Sequence, residues 1–232
     1  MTNQVTAFLP CRKGSQRIPD KNTKPFSRYP DGLLELKLTQ LFRCKNIKEV
    51  ILSTNDDRVI RVGEDIASRL AYKKLVIDIR PDSLSSSSTS TDDVIKYVSQ
   101  KLDFEHILWT HVTSPFLTSH DYDECIDRYA KACANGYDSL MTVQSHQSFY
   151  WDENKPISYN RDIEKWPRTQ TIKKIYEVDS GAFIASKQTY LTCEDRIGNK
   201  PYLLDLEKKY NIDIDWPEQF ELAEILFNRH EL

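Results

Sequence analysis

Short apolar runs rich in β-branched residues alternate with stretches of helical period through most of the chain, and no other feature limits the possible folds as strongly. "VTAFLPC" (5–11), "EVILST" (49–54), "KLVID" (74–78), "HILWTHV" (106–112) and "DSLMTV" (138–143) read as buried parallel strands. Between them, "LLELKLTQLFRC" (33–44), "DRVIRVGEDIASRLA" (57–71), "DDVIKYVSQKL" (92–102) and "HDYDECIDRYAKACA" (120–134) repeat apolar residues at three- and four-residue intervals. Asp57 and Ser119 are the expected N-caps. Strand-helix repetition predicts right-handed crossovers and an α/β fold with a doubly wound, mostly parallel sheet. Such sheets bind ligands beyond the carboxyl ends of their strands.

The alternation breaks over 144–178, an aromatic and polar stretch without clear period that reads as an inserted arm. It resumes with "GAFIAS" (181–186), and "WPEQFELAEILFNRH" (216–230) predicts an amphipathic closing helix with Pro217 in its first turn. The expected organisation is one α/β domain from 1–143 and 179–232, with 144–178 as the arm. Phe149, Tyr150, Trp151, Tyr159 and Trp166 are too many aromatics for a disordered loop, and such clusters are enriched at interfaces.

The chain has 232 residues, 39% of them hydrophobic, enough to bury a substantial core. A net charge of −3 suggests neither a nucleic-acid surface nor a basic membrane patch. No apolar stretch reaches the ~18 residues needed to span a bilayer, and "MTNQVTAFLPC" lacks a signal-peptide layout. A cytoplasmic chain is expected. The five cysteines, odd in number and without a CxxC pair, argue for reduced thiols rather than disulfides or zinc.

Against this slightly acidic background, "PCRKGSQRIPDKN" (10–22) concentrates Arg12, Lys13, Arg17 and Lys21 after the first strand. Gly14 lets the backbone approach a ligand, turn N–H groups form an anion nest, and the cations neutralise spread negative charge. The stretch is neither a Walker A nor a GxGxxG motif. On its own it is equally readable as a solvated surface loop or as a triphosphate site. Near the other end, "NIDIDW" alternates so that Asp213 and Asp215 share one face of an extended strand, about 7 Å apart. Two carboxylates suit Mg²⁺, and an ordinary strand edge is the alternative.

Taken together these motifs resemble the acylneuraminate cytidylyltransferase family, whose first motif usually reads close to "ARGGSKGIPRKN". "STND" (53–56), "RPDSLSSSSTSTDD" (80–93), "THVTSPF" (110–116), "YEVDSGAFIAS" (176–186) and "NIDIDWPEQFELAE" (211–224) follow in the family's order. The resemblance covers essentially the whole chain and implies a nucleotidyltransferase-type Rossmann-like fold. It implies transfer of CMP from CTP to a hydroxyl of a nonulosonic-type acidic sugar, with release of pyrophosphate.

By correspondence, Arg12, Lys21, Asp213 and Asp215 carry the chemistry, the aspartates holding Mg²⁺. The nucleotide would lie against Pro10, Cys11, Arg12, Gly14, Ser15, Lys21, Asn22, Arg80, Ser88 and Thr91, and the acceptor against His111, Arg168, Gln170 and Ser180. Lys13 and Arg17, which replace family glycines, are read as solvent-facing. His111 stands at a family glutamine, Ser180 at an asparagine, Thr169 at an arginine, Ser87 at a frequent aspartate and Gln16 at a lysine. The nucleotide half thus keeps the pattern more fully than the acceptor half. His111 and His146 are bases by type, but neither is assigned that role. In related enzymes the arm reaches the neighbouring subunit, so a homodimer is expected, with Arg168 acting in trans. Other readings are a cytidylyltransferase for 3-deoxy-octulosonic acid, for a non-sugar acid, or a catalytically silent nucleotide-binding protein.

Overall fold

Every predicted apolar run except the last aspartate motif becomes a strand in the computed structural model, which describes residues 4–208 and 210–230. The strands are β1 (Val5–Pro10), β2 (Ile47–Thr54), β3 (Leu75–Ile79), β4 (His106–Trp109), β5 (Ser139–His146), β6 (Ile175–Ser186) and β7 (Pro201–Asp205). The helices are α1 (Gly32–Phe42), α2 (Asp57–Arg69), α3 (Thr91–Lys101), α4 (Ser119–Ala134), α5 (Lys187–Cys193) and α6 (Pro217–His230). Residues 1–3 and 231–232, the ends of the expected domain, lie outside the described residues.

One seven-stranded sheet runs in the order β3-β2-β1-β4-β6-β5-β7. Its pairs are parallel except that β6 lies antiparallel between β4 and β5. Alternate side chains of β1 feed two cores. Ala7 and Leu9 join residues of α1, α2, α4 and α6 on one face, while Phe8 joins Val94 and Val98 of α3 and Tyr190 of α5 on the other. The doubly wound expectation therefore holds as a three-layer arrangement.

Several local expectations are corrected. The caps sit one residue earlier than read. Asp56 accepts from Arg58 N before α2, and Thr118 forms a capping box with Asp121 before α4, so Asp57 and Ser119 are the first helical residues. The ends of the supposed arm belong to the sheet, since His146 pairs with Ile175 and Gln144 with Glu177. "NIDIDW" is not a strand, and among the described residues it pairs with no strand. It is an irregular segment whose Ile214 is fully buried and whose Ile214 N–H donates to the Thr113 carbonyl at 2.9 Å.

Residues 147–174 form an ordered knob. Ser158, almost fully buried, donates to Ser148 O and accepts from Tyr150 N, and Phe149 packs edge-on against Tyr159 and Trp166. Ile163 (85% exposed) and Trp166 (69% exposed) nevertheless face outward. Among the described residues, no helix is long and apolar enough to cross a membrane.

Candidate active site

At the carboxyl ends of β1 and β4 lies a cavity of about 650 Å³. Pro10 at the end of β1 and Arg12, Ser15, Lys21 and Asn22 in the loop after it line the cavity, with Arg80 from the segment between β3 and α3 and Thr91 from the start of α3. His111, Ser180, Asp213 and Asp215 complete the sequence-predicted set that meets there. Gly14 has φ +78° with open space around it, the left-handed backbone that favours glycine, and its carbonyl accepts from Arg12 Nη1. Asn22 Nδ2 donates to Arg12 O and buried Ile18 anchors the loop from below.

The 211–215 segment is pinned at several points. Asn211 donates to Asp179, and Asp179 in turn accepts from Thr142 and from Gly181 N, tying the segment to β5 and β6. Lys21 Nζ donates to Ile214 O at 2.7 Å and approaches Asp215 Oδ1 at 3.4 Å. Arg17 pairs with the same Asp215 oxygen at 3.0 Å, lies over the Trp216 ring and lines the cavity. This corrects its reading as a merely solvent-facing cation. Lys13 does not line the cavity, but its backbone N–H donates to Asn55.

The two aspartates differ in environment. Burial pushes the Asp213 carboxyl above its usual range, and the neighbouring Asp215 charge adds to this against opposing bonds from Thr113 and Ser180. Asp213 Oδ1 is buried and has no hydrogen-bond partner. Burial likewise pulls the Lys21 ammonium down, opposed by Asp215. Arg80 is almost fully buried, with Nε donating to Ser53 Oγ and Nη2 to Ser53 O.

His111 is held on both ring nitrogens. Trp109 Nε1–H donates to its Nε2 at 3.0 Å, which leaves Nδ1–H to donate to Ser180 O at 3.1 Å. Burial lowers its pKa to about 4. With both nitrogens engaged, it stands in the cavity wall as a neutral ring. His146 lies outside the cavity, against Glu177 on the β5–β6 ladder.

Five predicted site residues do not line the cavity. The Cys11 thiol is buried in the core and pushed up to about 12, and its carbonyl accepts from Thr54 Oγ1. Gly14 forms a turn beside the cavity, its carbonyl accepting from Arg12. The Ser88 hydroxyl bonds to that of Ser86; it is Ser86, Ser87, Thr89 and Ser90 that reach the cavity. Arg168 and Gln170 are exposed on the knob. Sequence reading also missed Trp109, Arg196 and Asp179. Only Asp179, inside "VDSGA", had a motif to mark it.

Comparison with known proteins places this geometry. The chain is 26% identical to a pseudaminic acid cytidylyltransferase of Campylobacter jejuni, with 97% of each chain covered. It is 24% identical to an N-acylneuraminate cytidylyltransferase of Streptococcus agalactiae over 92% of its own length but only 51% of that relative's. The chain thus spans about half the length of the streptococcal protein. Among solved structures, a CMP:2-keto-3-deoxy-manno-octonic acid synthetase complexed with CTP shares the fold, with a TM-score of 0.63, 14% identity, and 99% of this chain and 100% of that one covered. The cytidylyltransferase family matches residues 6–230, taking in the loop after β1, the serine-rich segment and both aspartates, and the chain belongs to that family.

Proposed function

We propose that the protein transfers a cytidylyl group from CTP to a hydroxyl of a nonulosonic-type acidic sugar. The observation that carries this reading is a cavity that Arg12, Arg17 and Lys21 line together with Asp213 and Asp215. A triphosphate fits the cations, and a pyrimidine fits beside Arg80 and the hydroxyl-rich 86–91 segment, where a purine is larger and presents different edges. In the reaction the acceptor hydroxyl oxygen bonds to the α-phosphorus and gives up its proton to solvent, the bond from that phosphorus to the oxygen bridging it to the β-phosphate breaks, and pyrophosphate leaves. Arg12 and Lys21 hold the phosphates and offset charge as it develops. The relatives named for pseudaminic and N-acylneuraminic acid support an acidic-sugar acceptor.

Asp213 and Asp215 are the residues that would hold Mg²⁺, and the unpartnered Asp213 Oδ1 suits a hard cation that prefers oxygen ligands. When bound, the metal neutralises phosphate charge. Supporting a homodimer, the knob exposes Ile163 and Trp166, and Arg168 stands away from its own chain's cavity. On this reading Arg168 and Gln170 serve the partner's acceptor site.

The reaction is tested by pyrophosphate release with CTP, Mg²⁺ and a panel of acids: N-acetylneuraminic, pseudaminic, legionaminic and 3-deoxy-octulosonic. Release with a nonulosonic acid is expected. CTP binding without release by any acid would instead make the protein a silent nucleotide binder.

A further inference from the structure

Arg196 lines the cavity, and among the described residues its guanidinium has no salt-bridge partner. Helix α5 is capped by Glu194, whose φ of +52° turns the chain, and Arg196 follows two residues later. Its guanidinium carbon lies 3.7 Å from the centroid of the Phe183 ring on β6 and 5.3 Å from that of Trp109 on β4. Nη1 is buried without a hydrogen-bond partner, and among the described residues no carboxylate forms an ion pair with this guanidinium. The nearby Asp195 accepts from the Arg196 backbone N–H at 2.6 Å and acts on the guanidinium as a neighbouring charge, without forming an ion pair with it. A desolvated guanidinium with unmet donors is costly, and a cavity wall is where a ligand can supply the missing acceptor.

The triphosphate of CTP is a poor candidate for that acceptor. On the reading above the loop after β1 takes it, whereas Arg196 stacks over β4 and β6, on the side of the sheet away from β2 and β3. The second substrate of the proposed reaction does carry an anion. Stacking on Phe183 fixes the guanidinium plane, and its edge N–H groups suit the two oxygens of a carboxylate.

We propose that Arg196 is the acceptor-recognition residue, its guanidinium taking the carboxylate of the acidic sugar. This rests on the reaction proposed above. It also assigns specificity to a residue on the α5–β7 connection, outside the family motifs read from the sequence.

The test compares wild type, Arg196→Lys and Arg196→Met. Acceptor KM and kcat are read at saturating CTP with the best acid of the panel and with its carboxamide analogue, and CTP Kd is measured separately by calorimetry. Arg196→Met should raise acceptor KM by roughly 10- to 100-fold, the scale of a lost charge-assisted hydrogen bond, with CTP Kd within about twofold of wild type. Arg196→Lys should fall between, keeping the charge but not the flat fork. The carboxamide should cost the wild type a similar factor and cost Arg196→Met little more. An unchanged acceptor KM in Arg196→Met, a parallel loss of CTP affinity, or full acceptance of the carboxamide by wild type would each overturn the assignment. The carboxamide result stands even if Arg196→Met folds poorly. Absence of turnover by wild type with every acid would instead refute the underlying reaction.

Discussion

Lys21 Nζ donates to the main-chain oxygen of Ile214 at 2.7 Å, joining the loop after the first strand to the aspartate segment almost two hundred residues later. A residue read from sequence as a phosphate ligand is thus also a clamp. Lys21→Ala should weaken CTP binding with or without Mg²⁺, because its charge acts on the phosphates directly. It should also lower stability by roughly 1–3 kcal/mol, since the clamp is part-buried and its donor is charged. Calorimetric CTP titrations and urea unfolding check both, and an unchanged unfolding midpoint would remove the clamp.

The aspartates should separate on substitution. Asp213→Asn and Asp215→Asn should each lower turnover by more than about a hundredfold. Reasoning from like charges on one strand face suggests that neutralising either would spare stability. The observed pairing of Asp215 with Arg17 and Lys21 restricts that to Asp213. Asp213→Asn relieves a buried charge and should melt no lower than wild type. Asp215→Asn gives up half-exposed ion pairs and should lose up to about 1 kcal/mol. Thermal melts without nucleotide, beside a Mg²⁺ titration of turnover, would expose an error in either half.

His111 should stay neutral across the working range. Its folded-state pKa of about 4 lies below the ordinary 6.5, so between these values the unfolded chain takes up a proton that the folded chain refuses. Stability from this residue is therefore complete above pH 6.5 and declines as pH falls toward 4. An NMR titration should show no His111 imidazole transition above pH 5.5. A transition near 6.5 would contradict the two-sided hold by Trp109 and Ser180.

Lys37 is fully buried in α1, with Nζ donating to Ser114 O at 2.8 Å and to the Tyr122 hydroxyl at 2.6 Å, behind the cavity wall. Burial lowers its pKa from 10.5 to about 7. Below pH 7 both folded and unfolded chains carry the proton and the folding penalty is complete; it fades as pH rises from about 7 toward 10.5. Measured by urea unfolding, the stability of wild type relative to Lys37→Met should improve between pH 7 and 9.5. A difference independent of pH would show that Lys37 does not titrate as described.

For the knob, Ile163→Asp combined with Trp166→Ser removes the two large apolar side chains it exposes most. If the knob seats on a second copy, light scattering at micromolar concentration should give a dimer for wild type and a monomer for the double variant. A monomeric wild type would remove the idea.

Strands β1 to β5 were legible because apolar, β-branched runs bounded by helical period admit little else. The antiparallel direction of β6 was not, since a run buried on both faces, as residues 181–185 are, has the same pattern whichever way it runs. Strand β7 opens on Pro201 and is mostly half-buried, too weak a pattern to register. "NIDIDW" misled in the opposite sense. Its alternation is real, with Ile214 inside, but Lys21 and Thr113, rather than a partner strand, hold its backbone. The loop after β1 announced itself by charge density. A lone arginine such as Arg196 announces nothing until the fold sets it against two rings, and the serine-rich run gave the right segment but the wrong phase, with Ser88 off the wall and its neighbours on it.

The place of β6 between β4 and β5 has a consequence for synthesis on the ribosome. When β4 emerges, its partner β1 is already available, but its other edge waits until residues 110–174 have been made. At about 5–20 residues per second that edge, with the row of β5 behind it, stays open for several seconds. Open apolar edges are templates for pairing between chains. The last central strand to be translated therefore closes the sheet, and a chain interrupted before Ile175 is left with two unsatisfied edges where the finished protein has its middle.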